Sequence, residues 1–181
     1  MNNRLSPPRY TRTAVVLHWL LAVAIVSSFI VGFYMTGLPL SPKRLVWFNW
    51  HKWTGICILT LSAARLLWRL AHRPPEDLPM ADWQRRAARW THRLLYGLFF
   101  AVPLAGWAYS ASAGYPVVLF GVLPLPSFVP VDKELAELFK FCHHWLAYAM
   151  AALTVGHVLG AMKHHFVDRD TTLLRMSLRR A

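Results

Sequence analysis

The sequence predicts an all-α fold, an integral membrane four-helix bundle with both termini cytoplasmic. Three observations carry this. Hydrophobic residues make up 56% of the 181 residues. They gather in four runs of about 20 residues, the length a helix needs to cross the roughly 30 Å hydrocarbon core. The charge is also uneven: fifteen of the twenty Lys and Arg fall on one side of such a four-span chain.

Residues 1–13 are polar and carry Arg4, Arg9 and Arg12. The first span covers about 14–35 and has one strongly polar residue, His18. It has no small-x-small cleavage pattern and reads as a retained span rather than a signal peptide. A short loop with Gly37, Pro39 and Pro42 leads to the second span, about 45–67, where Trp47, Trp50 and Trp53 cluster as interface anchors. The polar connection 65–93 is broken by Pro74, Pro75 and Pro79. The third span, about 94–113, contains Pro103, a kink that membrane helices tolerate. A Pro-rich loop at 114–133 precedes the fourth helix, which begins outside the bilayer near Glu134 and spans it over about 141–162. No repeat or second domain is visible, so residues 1–181 read as one transmembrane domain.

Four spans put both termini on one side. The two tails and the 65–93 connection hold fifteen cations, against Lys43, Arg44, Lys52, Lys133 and Lys140 opposite. Positive charge marks the cytoplasmic side. The net charge of +12 is therefore a topology signal and calls for no nucleic acid. Cys57 and Cys142 lie in apolar runs, and there is no C-x-x-C-H motif, which argues against covalent c-type haem.

The fourth span has no Asp, Glu, Lys or Arg but holds His143, His144 and His157. Polar groups at membrane depth default to a functional role. His143 and His157 are 14 residues apart, so they share a face within about 40° and stand about 21 Å apart along the axis. His144 points nearly opposite and reads as a packing residue. By depth the histidines sort into level pairs: His18 with His157 toward the cytoplasm, His51 with His143 toward the periplasm. Bundle cores build cofactor sites from facing helices. Two-His sites without thiolates or carboxylates are poor zinc or copper cages, whereas a six-coordinate haem asks for two axial imidazoles. Gly55, Gly156 and Gly160 near these histidines leave room for a flat macrocycle.

The segments LHWL around His18, WHKWTGICIL around His51, THRLLYGLFFAVPLAGW, FCHHWLAY around His143 and VGHVLGAMKHHFVDRDTTLLRM resemble the bacterial cytochrome b561 family, short four-span dihaem proteins of the inner membrane. The resemblance covers nearly the whole chain. It implies two haem b groups on His18, His51, His143 and His157, and electron exchange with ubiquinone within the lipid bilayer. It also suggests superoxide as a small periplasmic electron donor, oxidised to O2. Lys43, Arg44 and Lys52 would then be a periplasmic cationic cluster that steers the anion. Lys52 and the 114–133 loop depart from the pattern, so the donor surface differs.

At the other end His164 follows His157 by seven residues on the same face, about 10 Å further along. With His92, it bounds the expected quinone site, and Arg89 or Arg93 lies nearby as a propionate or carbonyl partner. An imidazole suits the proton uptake that quinone reduction requires. One alternative is a membrane-anchor cytochrome b subunit that passes electrons from a periplasmic hydrogenase or dehydrogenase to quinone. Another is a non-redox transporter with membrane histidines.

Overall fold

The computed structural model describes residues 9–178. Arg4, Arg179 and Arg180 of the charge tally lie outside the described residues. Four long helices form: α1 (Arg12–Thr36), α2 (Pro42–Ala71), α3 (Asp82–Ser112) and α4 (Lys133–Phe166).

Each start has a local cause. The side chains of Thr11, Ser41 and Asp132 accept from the backbone N–H groups of Ala14, Arg44 and Leu135, filling donors that a helix start leaves unpaired. Pro42 occupies the first turn of α2, where its missing N–H costs nothing. At α3 the Gln84 side chain reaches back to the Ala81 N–H at 3.2 Å. The helix runs on through Pro103.

The helices outrun the apolar spans. α3 begins at Asp82 rather than near residue 94, and α2 continues to Ala71, so the non-helical connection shrinks to residues 72–81. Hydropathy marks where lipid begins, but backbone hydrogen bonds carry a helix on into the interface. The 114–133 loop holds a feature that the sequence reading lacks, an antiparallel pair of β1 (Val118–Leu119) and β2 (Leu123–Pro124). Its turn is closed by Val122 N–H donating to the Leu119 carbonyl, with positive φ at Phe120 and Gly121. The Phe120 ring packs 5.6 Å from that of Trp53, and Trp53 Nε1 donates to the Val118 carbonyl at 2.7 Å. These contacts hold Phe120 in a conformation that non-Gly residues seldom adopt.

α1 packs on α2, and α3 packs on α4 more closely than α2 packs on α3. The bundle is thus two helical hairpins, and α4 makes its close backbone contacts with α3. Leu21, Ile25, Ile58, Leu95, Val102 and Met150 form the buried core, filled out by Leu98, Phe99 and Leu146. Large apolar side chains such as Val23, Ile30, Phe33, Leu67 and Leu159 face outward. A soluble monomer does not tolerate so much contiguous apolar surface. All four helices are long and apolar enough to cross a membrane.

Two kinds of ends result. At the basic end Arg65 donates to the Ala14 carbonyl at 3.1 Å, and Trp68 Nε1 donates to Thr11 Oγ1 at 2.9 Å. There the 3-10 turn Leu174–Met176 folds back, and the Met176 carbonyl accepts from Trp19 Nε1 at 2.9 Å. At the opposite end Lys52 Nζ donates to the Pro116 carbonyl at 3.4 Å, and Asp132 N–H donates to the Ser112 carbonyl at 2.9 Å.

Candidate functional site

The structure brings His51 of α2 and His143 of α4 opposite one another, with ring centres 5.9 Å apart and planes at 85°. Each ring is fixed by a third helix. His51 donates from Nδ1 to the Ser28 carbonyl of α1 at 3.0 Å, with Ser28 Oγ at 3.3 Å. His143 donates from Nδ1 to the Val102 carbonyl of α3 at 2.9 Å. A carbonyl only accepts, so Nδ1 carries the proton in both rings. Nε2 keeps its lone pair, the state a metal ligand requires.

Glycines set how close the supporting helices come. A Cβ on Gly32 would sit 3.0 Å from His51 Cε1, and one on Gly106 would sit 2.9 Å from His143 Cε1 and Nδ1. At Gly55, Gly156 and Gly160 a Cβ would meet nothing within 4 Å, so the space beside them stays open.

The second group lies toward the basic end. The rings of His18 and His157 are 6.2 Å apart with planes at 75°. His92 of α3 joins them, its ring 5.3 Å from that of His157. Three imidazoles therefore converge where sequence spacing pairs two. Arg65 of α2 reaches the same end, donating to the Ala14 carbonyl one turn before His18.

The family model described as prokaryotic cytochrome b561 matches residues 9–177. The chain belongs to the prokaryotic cytochrome b561 family. Cytochrome b561 homolog 2 of Escherichia coli (strain K12) is 34% identical over 176 residues, 94% of this chain and 92% of that protein. Cytochrome b561 homolog 1 of the same organism is 31% identical over 177 residues, 95% of this chain and 98% of its own length. The probable superoxide oxidase CybB of Yersinia pestis is 29% identical over 174 residues, 93% and 95% of the two chains.

As a prokaryotic cytochrome b561, the chain is a multi-pass bacterial membrane protein of electron transfer and binds b-type haem. The side chains present fit that group. An imidazole nitrogen lies about 2 Å from its metal and about 1 Å from its ring centre, so two imidazoles across one metal stand roughly 6 Å apart. The facing pairs stand at 5.9 and 6.2 Å.

The remaining expected residues scatter more. Lys43 is exposed, Arg44 lies over the Phe48 ring at 5.3 Å, and Lys52 is drawn to the 114–133 loop. Arg89 is exposed, and Arg93 lies over the Trp90 ring at 5.3 Å, so neither is seen engaging the histidines. His164 is turned into a carboxylate pair: Nδ1 donates to Asp170 Oδ2 at 2.8 Å, with Asp168 Oδ2 at 3.1 Å. Lys163, 2.7 Å from Asp168, supplies a countercharge. His144 packs outward on Tyr148, and His72 stacks on Trp68. Cys57 and Cys142 are free thiols.

Sequence reasoning missed Ser28, Gly32, Val102, Gly106, Arg65 and Asp170. Only Arg65 left a usable signal. It follows His51 by 14 residues, the same spacing as His143 to His157, which puts it on the histidine stripe about 21 Å down the axis.

Proposed function

We propose that this chain is a dihaem cytochrome b561 of the bacterial inner membrane that carries electrons from a small periplasmic donor to ubiquinone. The observation that carries the reading is the stacking of two facing imidazole pairs at two levels of one bundle. His51 and His143 would hold one haem, and His18 and His157 the other. The basic end faces the cytoplasm, as its excess of Lys and Arg requires.

When bound, haem b supplies the one-electron carrier, and the protein supplies binding, orientation and electrostatics. Ser28 and Val102 hold the Nδ1 protons of His51 and His143, which fixes the ring planes and leaves Nε2 free as a donor. The core between the levels, around Ile25, Ile58 and Met150, excludes water.

Superoxide is the donor we favour. The reading rests on Lys43, Arg44 and Lys52 at the periplasmic end, where a cationic surface raises the local concentration of an anion. The name of the Yersinia pestis relative supports it.

At the cytoplasmic end we place ubiquinone near His164 and His92. The Asp170 carboxylate receives the Nδ1–H of His164 and leaves Nε2 to exchange a proton with a quinone oxygen. Arg89 and Arg93 remain candidates for carbonyl or propionate contacts at this surface.

The deciding experiment is a dithionite-reduced minus oxidised spectrum of the purified protein, with extracted haem counted. Two haems per chain are expected. Saturation at one haem would remove the two-level reading, and a colourless protein would favour a transporter.

A further inference from the structure

A cavity of about 250 Å³ opens at the basic end, between the start of α1, the last two turns of α2 and the 72–81 connection. Four arginines line it: Arg9, Arg65, Arg69 and Arg73. None of its lining residues is acidic. Three cations elsewhere have a carboxylate beside them: Arg85 with Asp82, Lys140 with Glu137, and Lys163 with Asp168. Among the described residues no carboxylate lies within ion-pair distance of Arg65, Arg69 or Arg73.

The walls of the cavity are built. Trp68 and His72 stack at 3.8 Å, Trp68 is tied to Thr11, and Arg69 lies 5.5 Å over the Tyr96 ring. The C-terminal segment closes one side: Arg175 donates to the Glu76 carbonyl at 2.7 Å, and Met176 lines the cavity. The positive charge of Arg65, Arg69 and Arg73, with no carboxylate in reach, attracts an anion, and guanidinium forks match phosphate oxygens bidentately. The location selects the source. The cavity lies at the helix ends among Tyr10, Trp68 and Tyr96, residue types that mark the lipid headgroup level. Basic pockets between membrane helices on the cytoplasmic side receive anionic lipid heads.

We propose that this cavity binds the phosphate headgroup of an anionic phospholipid, with Arg69 and Arg73 as its principal partners and the aromatic walls against its glycerol. Arg65 lines the cavity on its inner side, so the site borders the histidine group of the basic end, and the haem count in the test separates lipid binding from a role toward haem.

The test uses delipidated, haem-loaded protein in mild detergent. Phosphatidylglycerol, phosphatidylcholine or inorganic phosphate is titrated in, and retained lipid is read by native mass spectrometry with haem counted alongside. Wild type should retain phosphatidylglycerol and not phosphatidylcholine. Arg69→Gln with Arg73→Gln should weaken phosphatidylglycerol binding about ten-fold or more, the effect of losing charge-assisted hydrogen bonds. Arg85→Gln with Arg86→Gln removes as many charges from the same end and should change it less than about two-fold. Equal retention of the two lipids in wild type overturns the proposal without any variant. So does an equal loss in both double variants, which would mean diffuse surface charge. Displacement of the lipid by inorganic phosphate would make this a free-phosphate site. Loss of haem in the Arg69/Arg73 variant would reassign those arginines to haem carboxylates.

Discussion

His51 Nδ1 lies 3.0 Å from the Ser28 carbonyl oxygen on the neighbouring helix. A glycine follows the acceptor by one turn, and its missing Cβ lets the ring lie against the backbone. The arrangement recurs on the other hairpin, where Val102 and Gly106 of α3 receive His143. The same i and i+4 device, carbonyl then glycine, thus orients both rings of one facing pair.

Gly106→Ala should therefore act on one level only. The new Cβ would sit 2.9 Å from the His143 ring and push it off the Val102 carbonyl. Such overpacking typically costs about 1–3 kcal/mol. Haem content should fall from two toward one per chain, as it should in His51→Ala and His143→Ala, and Gly32→Ala should do the same through His51. Extraction and counting of haem checks this. Full occupancy with an unaltered spectrum in both glycine variants would mean that the close approach does not position the ligands.

His92 poses a different question, because its ring is nearer to His157 than the His18 ring is, 5.3 against 6.2 Å. With His18 and His157 as the axial pair, His92→Ala should keep two haems per chain, and His18→Ala should keep one. The reverse result would put His92 in the axial position and leave His18 beside it.

The His164–Asp170 pair should govern quinone reduction. His164→Ala, and Asp170→Asn to a lesser degree, should retain both haems and slow reoxidation by a ubiquinone analogue by roughly ten-fold or more, the lower range for one acid–base group. Stopped-flow absorbance follows this directly. Wild-type rates in His164→Ala and in His92→Ala would move the quinone site elsewhere.

Asp170 also sets a pH dependence. Burial alone would raise its carboxyl, but hydrogen bonds from Thr172 and His164 outweigh that and hold it below the ordinary range. A lowered folded-state value means that the tether stabilises the fold above the unfolded carboxyl value of about 3.9. That contribution is lost as pH falls through the lower folded value. Limited proteolysis should find the segment after residue 166 protected at neutral pH and cleaved as the medium is acidified toward that value. Asp170→Asn should be cleaved faster already at neutral pH. Cleavage independent of pH and of the substitution would show that the tether does not hold the segment.

Much of this protein is decided by one-dimensional information. Span length against bilayer thickness dictates four helices, and the 14-residue step from His143 to His157 stacks two imidazoles on one face of α4. The level pairing of His18 with His157 and of His51 with His143 follows from depth alone, because a membrane gives every residue a height. Height says nothing of azimuth. Which carbonyl meets each Nδ1, why Gly32 and Gly106 rather than Gly55 or Gly156 touch the rings, and how His92 swings in beside His157 depend on helix rotation, which side-chain packing between the two hairpins sets. The turn of His164 onto Asp170 depends likewise on how the chain folds back after α4. The helix ends at Asp82 and Ala71 escaped the hydropathy pattern because backbone hydrogen bonding does not stop where the lipid does.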